Sequence, residues 1–219
     1  LTESVKPSTA HRTGLYLTPV TRERDGLHFK LLRCSTNLSG PTENFCPTDH
    51  QIVDALNREA AAIFRDHAPL DHVLAQIYKN TTEGQKQTKA KISAHADKTK
   101  DMPVNGIMAF CTFYDGVGTL TPLDDFDYGY KGKSGLTKLR FQLKPGAVGL
   151  PEFTLTLYPG SVFFMPLSTN RLYTHEIQSS MLNAEMLPTR LGYVARCSKT
   201  EAVHRDGTTF LRRGDELVP

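Results

Sequence analysis

The sequence predicts a mainly β fold with flanking helices, and three features of the 219-residue chain favour it. Short apolar or alternating runs recur along most of the chain, separated by Gly, Pro, Asn, Asp and Ser clusters that are typical of turns. One longer segment has helical periodicity instead. With 39% hydrophobic residues, the chain is long enough to form a single domain over residues 1–219 with a sizeable core.

The N-terminal region is predicted to begin with a flexible segment and a hairpin. Residues 1–14 are polar, so they are expected to be poorly anchored. Residues 14–19 and 27–32 are apolar enough to form two short strands around a charged turn at 22–26. A hairpin is the simplest arrangement of these two strands.

A helix is predicted over residues 51–65, where apolar side chains recur at helical spacing. Pro47 and the polar residues after it are typical of a helix start. The apolar face of this helix is expected to pack against the sheet. A second short helix is predicted after Pro69, near residues 70–74.

The remaining elements are predicted to be strands. They comprise residues 105–114, residues 137–143, a strand ending at Tyr158, residues 162–165 and residues 171–178. Strand 137–143 alternates apolar and polar side chains, which indicates that one of its faces is solvated.

Residues 115–134 are too long for an ordinary hairpin turn and contain too few apolar residues for a core of their own. We predict a mobile loop here. One interpretation makes it part of a substrate lid whose aromatic side chains stack on a ring, and the other makes it a solvated surface loop.

A possible metal site begins at His95 and Asp97, which are two residues apart. On a strand both side chains point to the same face, while the small residues Ala94 and Ala96 face away. Such a pair is often only a surface ion pair. With His175 supplied by a later strand, however, two histidines and one carboxylate match the facial triad of non-haem Fe(II) oxygenases, which leaves three metal positions open.

Two arginines follow this set of ligands. Arg190 and Arg196 are an even number of residues apart, so on one strand both would face the same interior. A guanidinium binds a carboxylate through two parallel hydrogen bonds and keeps its charge when desolvated, which suits an anionic co-substrate. The alternative places both arginines at the solvent-exposed ends of an amphipathic strand.

Taken in order, these residues resemble the catalytic core of AlkB-like Fe(II)/2-oxoglutarate-dependent dioxygenases. The resemblance covers residues 74–198 and implies a double-stranded β-helix, a jelly-roll or cupin-like barrel with the metal at its open mouth. The segments that carry it are Gln76-Ile-Tyr78, His95-Ala-Asp97, the Pro-Gly-Ser-Val-Phe-Phe strand, Arg171-Leu-Tyr-Thr-His175-Glu-Ile-Gln and Arg190-x5-Arg196.

The resemblance implies that His95, Asp97 and His175 bind Fe(II). It also implies 2-oxoglutarate as co-substrate, dioxygen as oxidant, and ascorbate as a reductant. These three ligands are the expected catalytic residues, together with Arg196 near the iron-bound end of the co-substrate and close to Asp97.

By the same resemblance, Arg190 binds the distal carboxylate of 2-oxoglutarate, and Arg196, Tyr78 and Gln76 complete the co-substrate site. Two positions depart from the family pattern. Gln76 and Gly192 both stand where that family usually has Asn. These departures reduce the number of expected polar contacts to the co-substrate, and another acid remains an alternative to 2-oxoglutarate.

For the substrate, the resemblance implies a methylated nucleobase in DNA or RNA, hydroxylated at its alkyl carbon. The outcome would be oxidative demethylation or a stable hydroxymethyl base, as in TET/JBP-type enzymes. Such an enzyme reaches its base in a single strand or by flipping. The alternatives are the same chemistry on a protein side chain or small metabolite, and a non-catalytic barrel that acts as a binding module.

Lysines surround the His95 segment and could contact phosphates of a nucleic acid. The alternative is a charged face that only confers solubility, since the net charge of +3 is modest. The residues are Lys79, Lys86, Lys89, Lys91, Lys98 and Lys100.

Cysteine usage indicates a reducing intracellular compartment, the nucleus or cytoplasm. The four cysteines lack zinc-site or C-x-x-C spacing, and Cys111 and Cys197 lie in apolar runs where buried free thiols are common. No apolar run is long enough for a membrane span, so no membrane association is expected. Because the chain begins at Leu1, an upstream targeting segment stays open.

The other six histidines have no evident ligand partner in the sequence. We predict surface or helix-capping positions for them. They are His11, His28, His50, His67, His72 and His204.

Overall fold

A computed structural model describes residues 2–3, 12–33, 42–116 and 135–218, and these residues are mainly in β-strands. The strands are β1 (Thr2–Glu3), β2 (Arg12–Thr18), β3 (Val20–Glu23), β4 (Gly26–Lys30), β5 (Thr42–Asn44), β6 (His72–Tyr78), β7 (Thr81–Glu83), β8 (Lys86–Thr88), β9 (Ile92–His95), β10 (Ile107–Asp115), β11 (Lys138–Leu143), β12 (Glu152–Thr156), β13 (Val162–Pro166), β14 (Tyr173–Ile177), β15 (Thr189–Arg196), β16 (Glu201–Arg205), β17 (Thr208–Arg213) and β18 (Glu216–Val218). The helices are α1 (Pro47–Ile63), α2 (Leu167–Leu172) and a 3-10 turn (Ala184–Met186).

Two sheets carry the candidate site. The larger has the order β1-β2-β6-β15-β10-β13, with β5 added parallel to β2, and the smaller has the order β12-β11-β14-β9. One apolar cluster joins their facing sides, with members from both sheets; they include Tyr78, Met108, Met165, Leu139, Phe141 and Ile177. Within the described residues the sheets do not close into a barrel.

Strand β15 lies at the centre of the larger sheet, between β6 and β10. Its side chains alternate between two buried faces because successive residues of a strand point in opposite directions. Tyr193 and Ala195 pack in the cluster beneath α1. Arg190, Gly192 and Arg196 belong to the opposite set, which faces the smaller sheet. This alternation brings both arginines into the interior between the sheets.

Helix α1 confirms the predicted amphipathic helix but starts earlier, at Pro47. Proline at the first helical position is pre-organised for a helix, and Asp49 Oδ2 accepts a hydrogen bond from the Cys46 amide at 2.9 Å. The apolar face packs on the larger sheet through Val53, Leu56 and Ala60.

The second predicted helix, near residues 70–74, is wrong. This segment enters β6, whose neighbours are β2 and β15. A central strand is buried on both faces, so its short apolar run lacks the alternation that would distinguish it from a helix. His72 at its start is fully buried, which also contradicts the predicted surface or capping position.

Two further strand predictions are corrected in part. The strand predicted over residues 14–19 pairs with β6 in the larger sheet, and the hairpin forms instead between β3 and β4. The strand predicted over residues 171–178 begins only at Tyr173, because α2 occupies the preceding residues. A polar helix of six residues is too short for its periodicity to be read from sequence.

Parts of two predicted flexible segments lie outside the described residues. Residues 12–14 lie in β2, and Thr2 and Glu3 pair with that strand, whereas residues 4–11 are not described. Of the predicted loop, Asp115 ends β10, and residues 117–134 are not described. In the described part of the chain, no helix has the length and apolar character needed to cross a membrane.

Candidate metal centre

The three predicted ligands converge on one point between β9 and β14. His95 and His175 face each other directly in the antiparallel ladder, and Asp97 follows the end of β9. Asp97 Oδ1 lies 3.4 Å from His95 Nε2 and 3.7 Å from His175 Nε2. One potential ligand atom from each residue therefore lies within 4.8 Å of the others.

Asp97 is held on three sides. Its backbone amide donates to Asn170 Oδ1 at 2.9 Å, and Asn170 Nδ2 donates to its carbonyl at 3.1 Å. The second carboxylate oxygen, Oδ2, accepts a hydrogen bond from Arg196 Nη2 at 2.5 Å. One oxygen is thus occupied by arginine, and the other faces the two imidazoles.

The charge states of the cluster suit metal binding. Burial would raise the pKa of Asp97, but the positive charge of the Arg196 guanidinium lowers it, and the net pKa lies well below its usual value. Burial lowers the pKa of His175 to about 4, so its imidazole is neutral at pH 7. A carboxylate and a neutral imidazole are the forms that bind metal ions.

The two histidines are oriented differently. His95 Nδ1 lies 2.8 Å from the Ser93 carbonyl, which can only accept, so Nδ1 donates and Nε2 keeps its lone pair. His175 Nδ1 is buried without a hydrogen-bond partner among the described residues. Contacts with the rings of Phe110 and Phe141 orient His175 instead.

The cluster has one solvent-facing side. The side chains of Asp97 and His175 are 7% and 6% exposed, whereas that of His95 is 40% exposed. A metal held here would be accessible from the His95 side. Imidazole and carboxylate ligands suit Fe(II) in a facial triad and also suit Zn(II).

Arg190 forms a second, separate feature on the same strand as Arg196. It is 7% exposed, and its guanidinium carbon lies 4.1 Å from the centre of the Tyr78 ring. The Tyr78 hydroxyl donates to Gln76 Oε1 at 2.9 Å. Among the described residues no carboxylate pairs with Arg190, so its charge is available to an anion.

A pocket of about 340 Å³ opens in front of Arg190. Tyr78 and Arg190 line it from the larger sheet and Ile177 from the smaller. Residues 178–182 close one side of this pocket. Ile177 lies two residues after His175 on β14, whereas none of the three candidate metal ligands is among the described residues that line the pocket.

The sequence interpretation is confirmed for the burial of both arginines, which are 7% and 4% exposed, and the alternative of exposed strand ends is wrong. It missed Asn170, which lies in α2 and clamps Asp97 across 73 residues of sequence. A lone Asn in a polar turn carries no sequence signal for such a contact. Only the placement of α2 against the end of β9 reveals it.

The predicted lysine face is largely solvent-exposed. Lys89 is the exception, since it is half-buried and donates to the Ser180 carbonyl at 3.0 Å. The exposed members are Lys79, Lys86, Lys91, Lys98 and Lys100. Cys111 and Cys197 are buried free thiols as predicted, while Cys34 lies outside the described residues.

A second cluster of possible ligands lies on the β3–β4 hairpin. His28, assigned from sequence to the surface without ligand partners, lies 2.7 Å from Asp25 and 3.8 Å from Glu23. Both acids are exposed, and the arrangement is that of a surface ion pair.

No protein-family model matches the sequence, and no curated protein matches it at a significant level. The geometry of the site therefore carries the functional argument.

Proposed function

We propose that this protein is a non-haem Fe(II) dioxygenase with a double-stranded β-helix fold. It would couple oxidative decarboxylation of 2-oxoglutarate to hydroxylation of a substrate C–H bond. The convergence of His95, Asp97 and His175 around one point carries this proposal. Two facing sheets with the ligands on β9 and β14 agree with such a fold without defining a closed barrel.

In this proposal the three ligands hold Fe(II), which with dioxygen and 2-oxoglutarate supplies the oxidising chemistry. The overall reaction balances as 2-oxoglutarate, dioxygen and substrate C–H giving succinate, carbon dioxide and substrate C–OH. The protein contributes position and charge. Arg196 keeps Asp97 ionised and aims its Oδ1 at the histidines.

Arg190 is the proposed partner of the distal carboxylate of 2-oxoglutarate. A buried guanidinium without an acidic partner among the described residues favours an anionic ligand, because an uncompensated buried charge is unfavourable. The pocket in front of it lies between the two sheets and reaches Ile177, on the strand that carries His175. This pocket is what favours Fe(II) and a keto acid over a Zn(II) site with the same ligands.

The proposed substrate is a methylated nucleobase in DNA or RNA. Exposed lysines on both sides of β9, such as Lys91 and Lys98, are suited to phosphates, and His95 is the most accessible ligand. The proposal includes an intracellular location, which the buried free thiols Cys111 and Cys197 support. Protein side chains and small metabolites are the alternative substrates.

Co-substrate binding tests the enzyme class. Under anaerobic conditions, Fe(II) and 2-oxoglutarate together should give a weak visible charge-transfer band. His95→Ala should abolish it by removing a ligand, and Arg190→Ala should abolish it by removing the anion partner, while His50→Ala on α1 should retain it. With dioxygen, succinate should form.

Absence of both the band and succinate would refute the dioxygenase proposal. If Co(II) still bound to the wild type but not to His95→Ala, a metal-dependent binding module would replace it. Substrate class is tested by mass spectrometry of nucleosides from methylated single-stranded DNA and RNA after incubation. Gain of one oxygen or loss of the methyl group is expected, and no change in either polymer would refute a nucleobase substrate.

A further inference from the structure

Gly192 is an unexplained residue at the centre of the larger sheet. It lies in the interior of β15, opposite Gln76 on β6 and Thr112 on β10. Glycine weakens a strand interior, and it often marks a point where another group approaches the backbone closely. The φ angle of Gly192 is not in the left-handed region, so backbone conformation does not require a glycine here.

The approaching group is the Arg190 guanidinium. A Cβ atom at position 192 would lie 3.0 Å from Arg190 Nη1 and 3.6 Å from Arg190 Cζ. It would also lie 3.3 Å from Cε2 of Tyr78. The guanidinium therefore occupies the space that a side chain at position 192 would fill, with the Tyr78 ring beside it.

This position defines the direction in which the Arg190 side chain extends along β15. Its guanidinium leans along β15 towards Gly192, while Arg196 Nη1 donates to the Val194 carbonyl at 3.4 Å and so leans the other way. The two Cα atoms are separated by six residues, about 20 Å along an extended strand. The two charged groups face each other across the segment that contains Gly192, with the metal ligand Asp97 bound to Arg196.

The hydrogen bonds around Gly192 point to the same site. The Tyr78 hydroxyl gives its only proton to Gln76 Oε1, which leaves the Gln76 Nε2 group as the donor on β6 opposite Gly192. A carboxylate held here would meet the guanidinium of Arg190 and the amide of Gln76.

We propose that Gly192 is a positioning residue for a dicarboxylate site, and that its missing side chain sets where Arg190 presents its charge. This inference rests on the proposed function, since it takes 2-oxoglutarate as the dicarboxylate. A Cβ atom at position 192 requires the guanidinium to shift by a few tenths of an ångström from its place beside Gly192, and so displaces the charge that lines the pocket. Gly192 therefore determines co-substrate affinity without contacting the metal.

The test measures 2-oxoglutarate binding to Co(II)-loaded protein by calorimetry, so that no turnover is needed. Gly192→Ala should raise the dissociation constant of 2-oxoglutarate at least about tenfold. The dissociation constant of Co(II) should not change. In turnover assays KM for 2-oxoglutarate should rise while kcat stays close to that of the wild type.

A double-mutant cycle separates this role from a general structural one. In an Arg190→Lys background, Gly192→Ala should change the dissociation constant of 2-oxoglutarate little further. The compact ammonium group of lysine does not need the space beside Gly192 that the planar guanidinium occupies. This double variant also remains informative if Gly192→Ala folds poorly, since it removes the steric conflict with the guanidinium. Circular dichroism and thermal unfolding establish that each variant is folded.

Two results would overturn the proposal. The first is wild-type affinity for 2-oxoglutarate in folded Gly192→Ala. The second is an equal loss of affinity with Arg190 and with Lys at position 190, because Gly192 would then not act through the guanidinium. If wild-type protein binds Co(II) but no 2-oxoglutarate, the proposed function fails and this inference fails with it.

Discussion

Replacing His72 by leucine should make the stability of the protein less sensitive to acid. His72 is fully buried at the start of β6, and neither ring nitrogen has a hydrogen-bond partner among the described residues. Burial lowers its pKa from 6.5 to about 3, and the positive charges of Arg196 and Arg33 add to this effect. The folded protein therefore holds this imidazole in its neutral form.

The sign of the effect follows from proton uptake. Between pH 6.5 and 3 the unfolded chain binds more protons at position 72 than the folded chain, so the free energy of unfolding decreases as pH falls. With these two pKa values, His72 lowers the stability by about 0.2 kcal/mol at pH 7 and about 2 kcal/mol at pH 5. His72→Leu should remove this pH-dependent loss of stability and, at pH 7, should be at least as stable as the wild type.

Urea unfolding at pH 7, 6 and 5, followed by circular dichroism, measures the effect. A chelator in every sample keeps the metal centre empty, and all other titratable groups are common to both proteins, so their contributions cancel in the comparison. His50→Leu, at an exposed position of α1, is the matched control and should follow the wild type. Parallel stability curves for wild type and His72→Leu would refute the reasoning.

Three further substitutions test the contacts that build the site and its support. Asn170→Ala removes both hydrogen bonds to the Asp97 backbone and should weaken Co(II) binding about 10- to 100-fold, as measured by calorimetry. Ser168→Ala on the same helix is the control and should leave Co(II) affinity unchanged. If Asn170→Ala and wild type bound Co(II) equally well, Asn170 would not hold Asp97 in place for the metal. Asp97→Asn leaves Arg196 facing a neutral amide and should cost about 3–5 kcal/mol of unfolding free energy even in chelator, and a cost near zero would contradict a buried ion pair. Tyr193→Phe removes the 2.9 Å hydrogen bond to Asp49 and should cost about 1–2 kcal/mol in urea unfolding; no loss would mean that this bond does not help to hold α1 on the sheet.

Local sequence patterns were enough to predict those site residues whose orientation depends on the alternation of side chains along a strand. His95 and Asp97 are two residues apart, and Arg190 and Arg196 are six apart, so each pair was expected on one face of a strand. The structure places Arg190 and Arg196 in the interior. His95 and Asp97 do converge on one cluster, but β9 ends at His95 and the His95 side chain is 40% exposed, so this pair does not share a buried strand face. Helix α1 was also predicted from its periodicity. These features depend only on the periodicity of side chains within one helix or one strand, and that periodicity is visible in the sequence.

Other features depend on which elements become neighbours. The run at residues 72–78 could not be assigned to a strand because a central strand is buried on both faces, and only pairing with β2 and β15 defines it. The strand at residues 14–19 was recognised, but its partner in the larger sheet was not.

The finer chemistry of the site was decided by tertiary contacts alone. Asn170 reaches Asp97 from a helix 73 residues away, and the guanidinium of Arg190 fills the space left by Gly192. The sequence by itself determined which side chains could bind a metal and an anion, because residue type and spacing set donors and faces. Only the packing of the two sheets decided their distances, burial and charge, because these depend on residues that the chain brings together from far apart.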